Sequence, residues 1–334
     1  MTLITARDEI NSVSVRQPHV VLLGAGASRA AFPHGDRHGR RLPVMTDFVE
    51  ILKLESTLDG AGIAWRGRNF EDIYDEVWRK DELAEIETAV HGYFSSLELP
   101  DHPTIYDELI LSLRPKDVIA TFNWDPFLIQ AARRNRHVSE PPRLVFLHGN
   151  VLLGYCQTDN MFGTRNTGCA ECGSLLQDVP ILYPIGEKNY AEHPAIRSAW
   201  EFVAGAFKNA FMVTIFGYGA PASDQSAVSL LKEAWGEVDK RHLEQFEVLD
   251  IRSEADLRET WEGFIHTHHY EVHTSFKDSW IRNHPRRTGE AYHNQYIKAA
   301  FIEQNPVPNF DTLAELQGWF APLLAIEDGH NGGH

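Results

Sequence analysis

Residues 19–28 read His-Val-Val-Leu-Leu-Gly-Ala-Gly-Ala-Ser, a short β-branched apolar run that breaks on glycines and leads into an alanine-rich stretch. Such a run, closed by Gly24 and Gly26, reads as a buried strand, a tight turn and the start of a helix. The same grammar recurs downstream. Asp117–Phe122 (DVIATF) runs into Asn123, Trp124, Asp125 and Pro126, with Pro126 well placed for a helix start, and Pro142–Leu147 runs into His148 and Gly149. Phe211–Phe216 (FMVTIF) precedes Gly217, Tyr218 and Gly219, and Phe246–Ile251 (FEVLDI) precedes a charged helix for which Ser253 is the expected N-cap. Strand-then-helix alternation over about 250 residues predicts an α/β fold, a Rossmann-like doubly wound parallel sheet with both faces covered.

Between the first and second strands the pattern changes to three- and four-residue steps. Phe48, Val49, Ile51 and Leu52, then Phe70, Ile73, Tyr74 and Val77, then Leu83, Ile86, Val90 and Tyr93 alternate with charges, which predicts a helical module over about residues 44–113. A further helix is expected over 311–324. The Gly- and His-rich residues 327–334 read as frayed.

Composition narrows the classes. The chain of 334 residues is long enough for two domains or one large α/β domain. Hydrophobic residues at 43%, charged residues at 23% and a mean hydropathy of -0.32 exclude disordered, collagen-like and multi-span membrane proteins. With 31 basic and 47 acidic side chains the formal charge is -16, so the overall field repels a phosphate backbone and no direct nucleic-acid binding is expected. Three cysteines cannot close a disulfide framework, and the N-terminal residues lack the pattern of a secretory leader, so a cytoplasmic, reducing compartment is expected. No run approaches about 18 apolar residues, and no membrane association is expected.

Ligands of open parallel sheets bind beyond the carboxyl ends of the strands, so the residues after each apolar run are the candidates. Gly24, Ala25 and Gly26 would let a phosphate approach the backbone at a helix N-terminus, and Ser28 would add a hydroxyl; Arg29 replaces the third glycine of the usual dinucleotide motif, and a purely structural turn is the alternative. Asn123 and Asp125 place an amide and a carboxylate two residues apart, with helix capping as the alternative. His148 is either a catalyst or a satisfied core histidine. Gly217 and Gly219 form a second flexible turn, and Asp250 ends the next strand, where it could accept from ribose hydroxyls.

Taken in order, GAGAS, TFNWD, LHGN and IFGYG resemble the NAD-binding core of the sirtuin family over roughly residues 19–255. The likeness continues past His148 and Gly149, where sirtuins carry a zinc ribbon of two Cys-x-x-Cys pairs before a strand beginning Asp-Val. Here Cys156 is followed by Asp159 in place of the second cysteine, then by Cys169 and Cys172, with Asp178 and Val179 next. The resemblance therefore implies a small zinc-ribbon-like insertion over about 150–178, in which Cys156, Asp159, Cys169 and Cys172 either hold zinc or form a degenerate, metal-free ribbon. It also implies a catalytic domain over 1–255 and an extension over 256–334 packed on the same domain.

The departures bear on activity. Sirtuin deacylases follow Asp-Val with a strand ending Phe-Gly-Glu that lines the acyl-lysine channel, whereas this chain reads Pro180, Ile181, Leu182, Tyr183 and Pro184. Their Pro-Asp-Phe-Arg loop has only a loose counterpart in residues 42–48. The sequence is nearest to the sirtuin-like NAD-hydrolysing proteins of bacterial anti-phage defence, which also read Gly-Tyr before Pro and Asp, here Gly217, Tyr218, Pro221 and Asp224. The resemblance implies NAD as substrate, with Asn123 ordering the ribose hydroxyls and attacking water and His148 as base at an unshifted pKa. It further implies Asp125 on the nicotinamide carboxamide, Gly24, Ala25, Gly26, Ser28, Gly217 and Gly219 around pyrophosphate and ribose, and Asp250 on the adenosine side. A protein-lysine deacylase and a non-catalytic NAD or ADP-ribose sensor are the alternatives. Control by a partner protein or by homo-oligomerisation is expected, since the chain carries no recognisable sensor domain.

Two other clusters have plainer readings. His266, His268, His269 and His273 read as alternating positions of an exposed strand rather than a metal site, and Arg282, Arg286 and Arg287 as a solvated basic face rather than a phosphate contact.

Overall fold

The computed structural model describes residues 2–78, 83–184, 188–221, 224–237, 241, 243–264 and 270–331. Its strands are β1 (Leu3–Ile4), β2 (His19–Leu23), β3 (Val118–Thr121), β4 (Arg143–Phe146), β5 (Leu153–Cys156), β6 (Met161–Thr164), β7 (Gln177–Asp178), β8 (Met212–Phe216), β9 (Gln245–Leu249), β10 (Tyr270–His273) and β11 (Phe301–Ile302). Six of them form one sheet in the order β10-β9-β8-β2-β3-β4, with every neighbouring pair parallel. Counted along the chain, that order is 6-5-4-1-2-3, the Rossmann-like arrangement, and its direction reverses between β2 and β8. Strands β2, β3, β8 and β9 are buried along their whole length. Burial on both faces is why they read as continuous apolar runs rather than alternating ones.

The helices are α1 (Ala6–Ile10), α2 (Ala25–Ala31), α3 (Phe48–Leu52), α4 (Glu55–Gly60), α5 (Phe70–Val77), α6 (Leu83–Ser95), α7 (Ile105–Ser112), α8 (Phe127–Asn135), α9 (Pro194–Asn209), α10 (Gln225–Trp235), α11 (Glu254–Trp261), α12 (Trp280–Asn283), α13 (Thr288–Tyr292) and α14 (Leu313–Asn331). Helices α3 to α7 are the helical module. The α5 face that buries Phe70, Ile73, Tyr74 and Val77 follows the helical period, and Asn69 starts that helix by accepting the Glu71 amide. Phe70 stacks on Phe48 with ring centroids 4.1 Å apart, and both belong to the same apolar core as the sheet. The insertion is a three-stranded antiparallel ribbon, β6-β5-β7.

Beyond residue 255 lie β10, which completes the sheet, and a layer that gathers both termini. β1 pairs with β11, and His284 Nδ1 meets the buried Glu9 carboxylate at 2.8 Å. Two expectations are corrected here. The arginine cluster is buried: Arg282 pairs with Glu108 at 3.0 Å, while Arg286 and Arg287 both bind Glu327. The stretch from residue 327 does not fray before Asn331, because α14 runs on and its buried Glu327 takes those two guanidinium groups. Glycine content mispredicts this turn because a buried double ion pair outweighs propensity costs of about 1 kcal/mol per residue. Of the histidine cluster, His266, His268 and His269 lie outside the described residues, and half-buried His273 contacts Glu271 at 3.2 Å.

Candidate functional site

The strand register aligns the ends that carry the site. Leu23 is paired with Thr121 on one side and Phe216 on the other, Thr121 with Phe146, and Phe216 with Leu249. The residues directly after this row, Gly24, Asn123, His148, Gly217 and Asp250, therefore emerge along one edge, at the reversal of strand order where such sheets bind ligands.

Two turns cross at that reversal. Gly24 N–H donates to Phe216 O at 3.0 Å and Gly26 N–H to Gly217 O at 2.9 Å. Gly217 has φ +59°, and a Cβ there would lie 2.2 Å from the Ala27 nitrogen. These glycines are required first for the contact between turns, and the Gly24 and Gly26 amides are donated within the chain.

A polar knot sits beneath the turns. Asn123 Nδ2 donates to Gly24 O and to Ser28 Oγ, each at 2.9 Å; Ser28 Oγ donates to Asp125 Oδ2 at 2.7 Å and lies 2.6 Å from the Tyr106 hydroxyl. Asp125 Oδ1 accepts the Phe127 amide at 3.2 Å, so this carboxylate also caps α8. Burial pushes the Asp125 carboxyl up to about 6. Asn150 Nδ2 donates to the Asp125 carbonyl at 2.6 Å, which ties the β4 exit to the β3 exit.

His148 lies in an aromatic wall, edge-on to Phe122 and parallel to Tyr190, with ring centroids 4.7 and 5.9 Å away. Its Nε2 is 3.5 Å from the Tyr190 hydroxyl and 3.8 Å from Asp224 Oδ1. Burial lowers its pKa to about 4; Asp224 opposes the shift and Lys188 adds to it. The expectation of an unshifted pKa is thus corrected: the imidazole is neutral through the physiological range.

These groups line a cavity of about 310 Å³, bounded by Gly24, Ala25, Gly26, Ser28, Asn123, Asp125, His148, Gly217 and Gly219 among the sequence-predicted residues. Asp250 stands apart from that lining: it binds Arg252 at 3.0 Å, and Arg252 Nη1 reaches Gly219 O at 3.4 Å. Lys188 and Asp224 also line the cavity and pair with each other. A single lysine in a loop gives no sequence signal, and Asp224 was visible only as part of a likeness. Trp124 lines the cavity with an indole N–H that has no hydrogen-bond partner among the described residues. A buried donor left open beside a cavity is one a ligand acceptor can satisfy.

The segment after the ribbon closes one side. Leu182 N–H donates to His148 O at 3.0 Å, and Tyr183 stacks on Tyr74 of α5 with centroids 4.9 Å apart. Residues 180–184 are thereby clamped between the histidine and the helical module, with no strand there.

In the ribbon, Cys156, Asp159, Cys169 and Cys172 bring one donor atom each to within 4.8 Å of one another. Cys156 and Cys172 sulfurs are 3.7 Å apart, and Asp159 Oδ2 lies 3.3 Å from Cys156 Sγ and 3.2 Å from Cys169 Sγ. Zinc–sulfur bonds of about 2.3 Å in a tetrahedron put sulfurs about 3.8 Å apart, so three thiolates and a carboxylate in this arrangement fit the metal. No helix among the described residues is long and apolar enough to cross a membrane.

No protein-family model matches the chain, and no curated protein matches it. Solved structures do. A mutant Sir2 homologue in complex with ADP-ribose is 13% identical, covering 77% of this chain and 93% of its own, with a TM-score of 0.38. Sir2 in complex with an inhibitor, 2'-O-acetyl-ADP-ribose and a deacetylated peptide is 14% identical over 88% of this chain and 97% of its own, at 0.36. A Sir2 homolog–NAD complex is 14% identical over 85% and 88%, at 0.30. At these scores the fold assignment rests on this chain's own strand order and register.

Proposed function

We propose that the chain is a sirtuin-like NAD glycohydrolase that cleaves NAD to nicotinamide and ADP-ribose, acting in bacterial anti-phage defence. The observation that carries this reading is the meeting of Asn123 and a neutral His148 in one cavity at the reversal of strand order. Departure of nicotinamide leaves an oxocarbenium-like ribose, so the site must fix the sugar and present water to the opposite face. Asn123 has its Nδ2 committed to the chain, so its carboxamide oxygen is the atom available to a ribose hydroxyl or to that water. His148 takes the proton as the water oxygen bonds to C1' and the C1'–N bond electrons leave with nicotinamide. Asp125 keeps lone pairs for the carboxamide N–H, and the open Trp124 indole suits the carboxamide oxygen.

Clamping of residues 180–184 across the site supports water, rather than an acyl-lysine peptide, as acceptor. Gly24, Ala25, Gly26, Ser28, Gly217 and Gly219 surround the pyrophosphate and ribose, and Asp250 acts on the adenosine side through Arg252. Cys156, Asp159, Cys169 and Cys172 hold a structural zinc in this reading. Control rests with self-association or a regulatory partner.

The test is incubation of the purified protein with NAD and no peptide, following nicotinamide and ADP-ribose by chromatography, alone and with candidate partners. Products that vanish in Asn123→Ala establish the hydrolase. Nicotinamide released only with an acylated peptide assigns a deacylase instead, and binding without turnover assigns a sensor.

A further inference from the structure

Asp224, at the N-terminus of α10, sends its two carboxylate oxygens to different partners. Oδ2 accepts from the Tyr218 hydroxyl at 3.1 Å. Oδ1 faces both Lys188 Nζ, with which it is in contact, and His148 Nε2 at 3.8 Å. All three side chains are at least nine-tenths buried, so the charges act on one another with little solvent screening. Among the described residues, the other groups set against the imidazole are the Phe122 ring, the Tyr190 ring and its hydroxyl, which carry no charge at neutral pH. On top of the burial that disfavours the imidazolium, one carboxylate and one ammonium in contact through the same oxygen act on the His148 charge in opposite senses.

We propose that Asp224 and Lys188 are an opposed pair of positioning residues for His148: Asp224 holds the ring through Nε2 and favours its protonated form, while Lys188 draws on the same oxygen and keeps the ring neutral. The role rests on the reading of His148 as base. A base must be unprotonated before reaction and must have a counter-charge once it has taken a proton. Lys188 serves the first requirement and Asp224 the second. Tyr218 fixes the carboxylate between them.

The experiment reads the histidine directly and requires no turnover. Ring signals of isotope-labelled histidines are titrated by NMR across the pH range in which the fold persists, with the His148 resonance identified by its loss in His148→Gln. Lys188→Met is expected to raise the His148 midpoint by about one unit or more. Lys188→Met combined with Asp224→Asn is expected to remove that rise, and Lys188→Arg to leave the midpoint in place. A midpoint unmoved in Lys188→Met, or a rise that survives in the double variant, overturns the proposal. Lys188→Gln replaces Lys188→Met if the latter does not fold. If the protein hydrolyses no NAD, the hydrolase reading fails while the midpoints still decide the pair. If it does, Asp224→Asn lowers kcat tenfold or more with KM within about twofold.

Discussion

The molecule buries charge in two places and treats it in opposite ways. In the layer that gathers the termini, Glu327 takes both Arg286 and Arg287, and further N–H groups of Arg286 reach the Leu111 and Leu113 carbonyls at 2.8 and 3.0 Å. In the cavity, the His148 Nε2 has loose contacts at 3.5 and 3.8 Å, and the Trp124 indole N–H has no hydrogen-bond partner among the described residues. Saturated groups have no bonding capacity left for a visitor and serve cohesion. Under-bonded groups beside a cavity are costly unless something arrives to complete them, and that cost marks a working site.

His148 and Glu327 are the extremes of the two regions. His148→Ala is expected to cut nicotinamide release by about 10²–10⁴-fold with little change in urea midpoint, since loss of a positioned base removes that much rate. Glu327→Ala is expected to do the reverse, lowering unfolding stability by about 3–5 kcal/mol because two buried guanidinium groups lose their counter-charge, with turnover per folded molecule unchanged. Denaturant titration beside the chromatographic assay separates the two.

Acid should expose the same division. At Glu327 burial alone would raise the pKa, but the hydrogen bonds and charges of Arg286 and Arg287 outweigh it and hold the carboxyl low. A depressed folded-state value means this contribution is whole above the unfolded value and is lost as pH falls through the folded one. At His148 the depressed pKa has a kinetic counterpart: the loss of rate due to the imidazole is expected near pH 4 rather than 6.5, while a step near 6 belongs to Asp125, whose carboxyl burial raises to about 6. A half-maximum at 6.5 in the pH–rate profile that persists in Asp125→Asn would sink that expectation.

The smallest effect is expected in the ribbon, whose four donor residues are not among those that line the cavity. Cys172→Ser should abolish co-purified zinc, measured by elemental analysis, and Asp159→Cys should tighten its retention against a chelator, with turnover falling by less than about tenfold in either case.

Much of the cavity lining was legible because strand ends announce themselves. A short β-branched run followed by Gly, Asn or His places the polar residue at the sheet's edge, and the pairing of Leu23, Thr121, Phe146 and Phe216 put those edges in one row. What stayed hidden depends on partners remote in sequence. Three close arginines look like a solvated face until Glu108 is found beside Arg282 and Glu327, 40 residues beyond Arg287, beside the other two. Lys188 could not be singled out because its meaning comes from Asp224, 36 residues later, across the cavity. His148 was placed at a strand end, where it lines the cavity, but its acidity was not legible, since burial by Phe122 and Tyr190 is a property of packing.

The union of β1 with β11 and of Glu9 with His284 also has a bearing on how the chain assembles as it is made. Each joins residues more than 270 positions apart, and Arg287 Nε donates to the Ile10 carbonyl over a similar separation. Residues 3–10 therefore have these docking partners only once the residues near 284–302 have emerged from the ribosome. Such remote pairings are formed late and slowly. That segment is thus a waiting strand during synthesis, and slowing the emergence of residues 284–302 should delay maturation more than it weakens the finished protein.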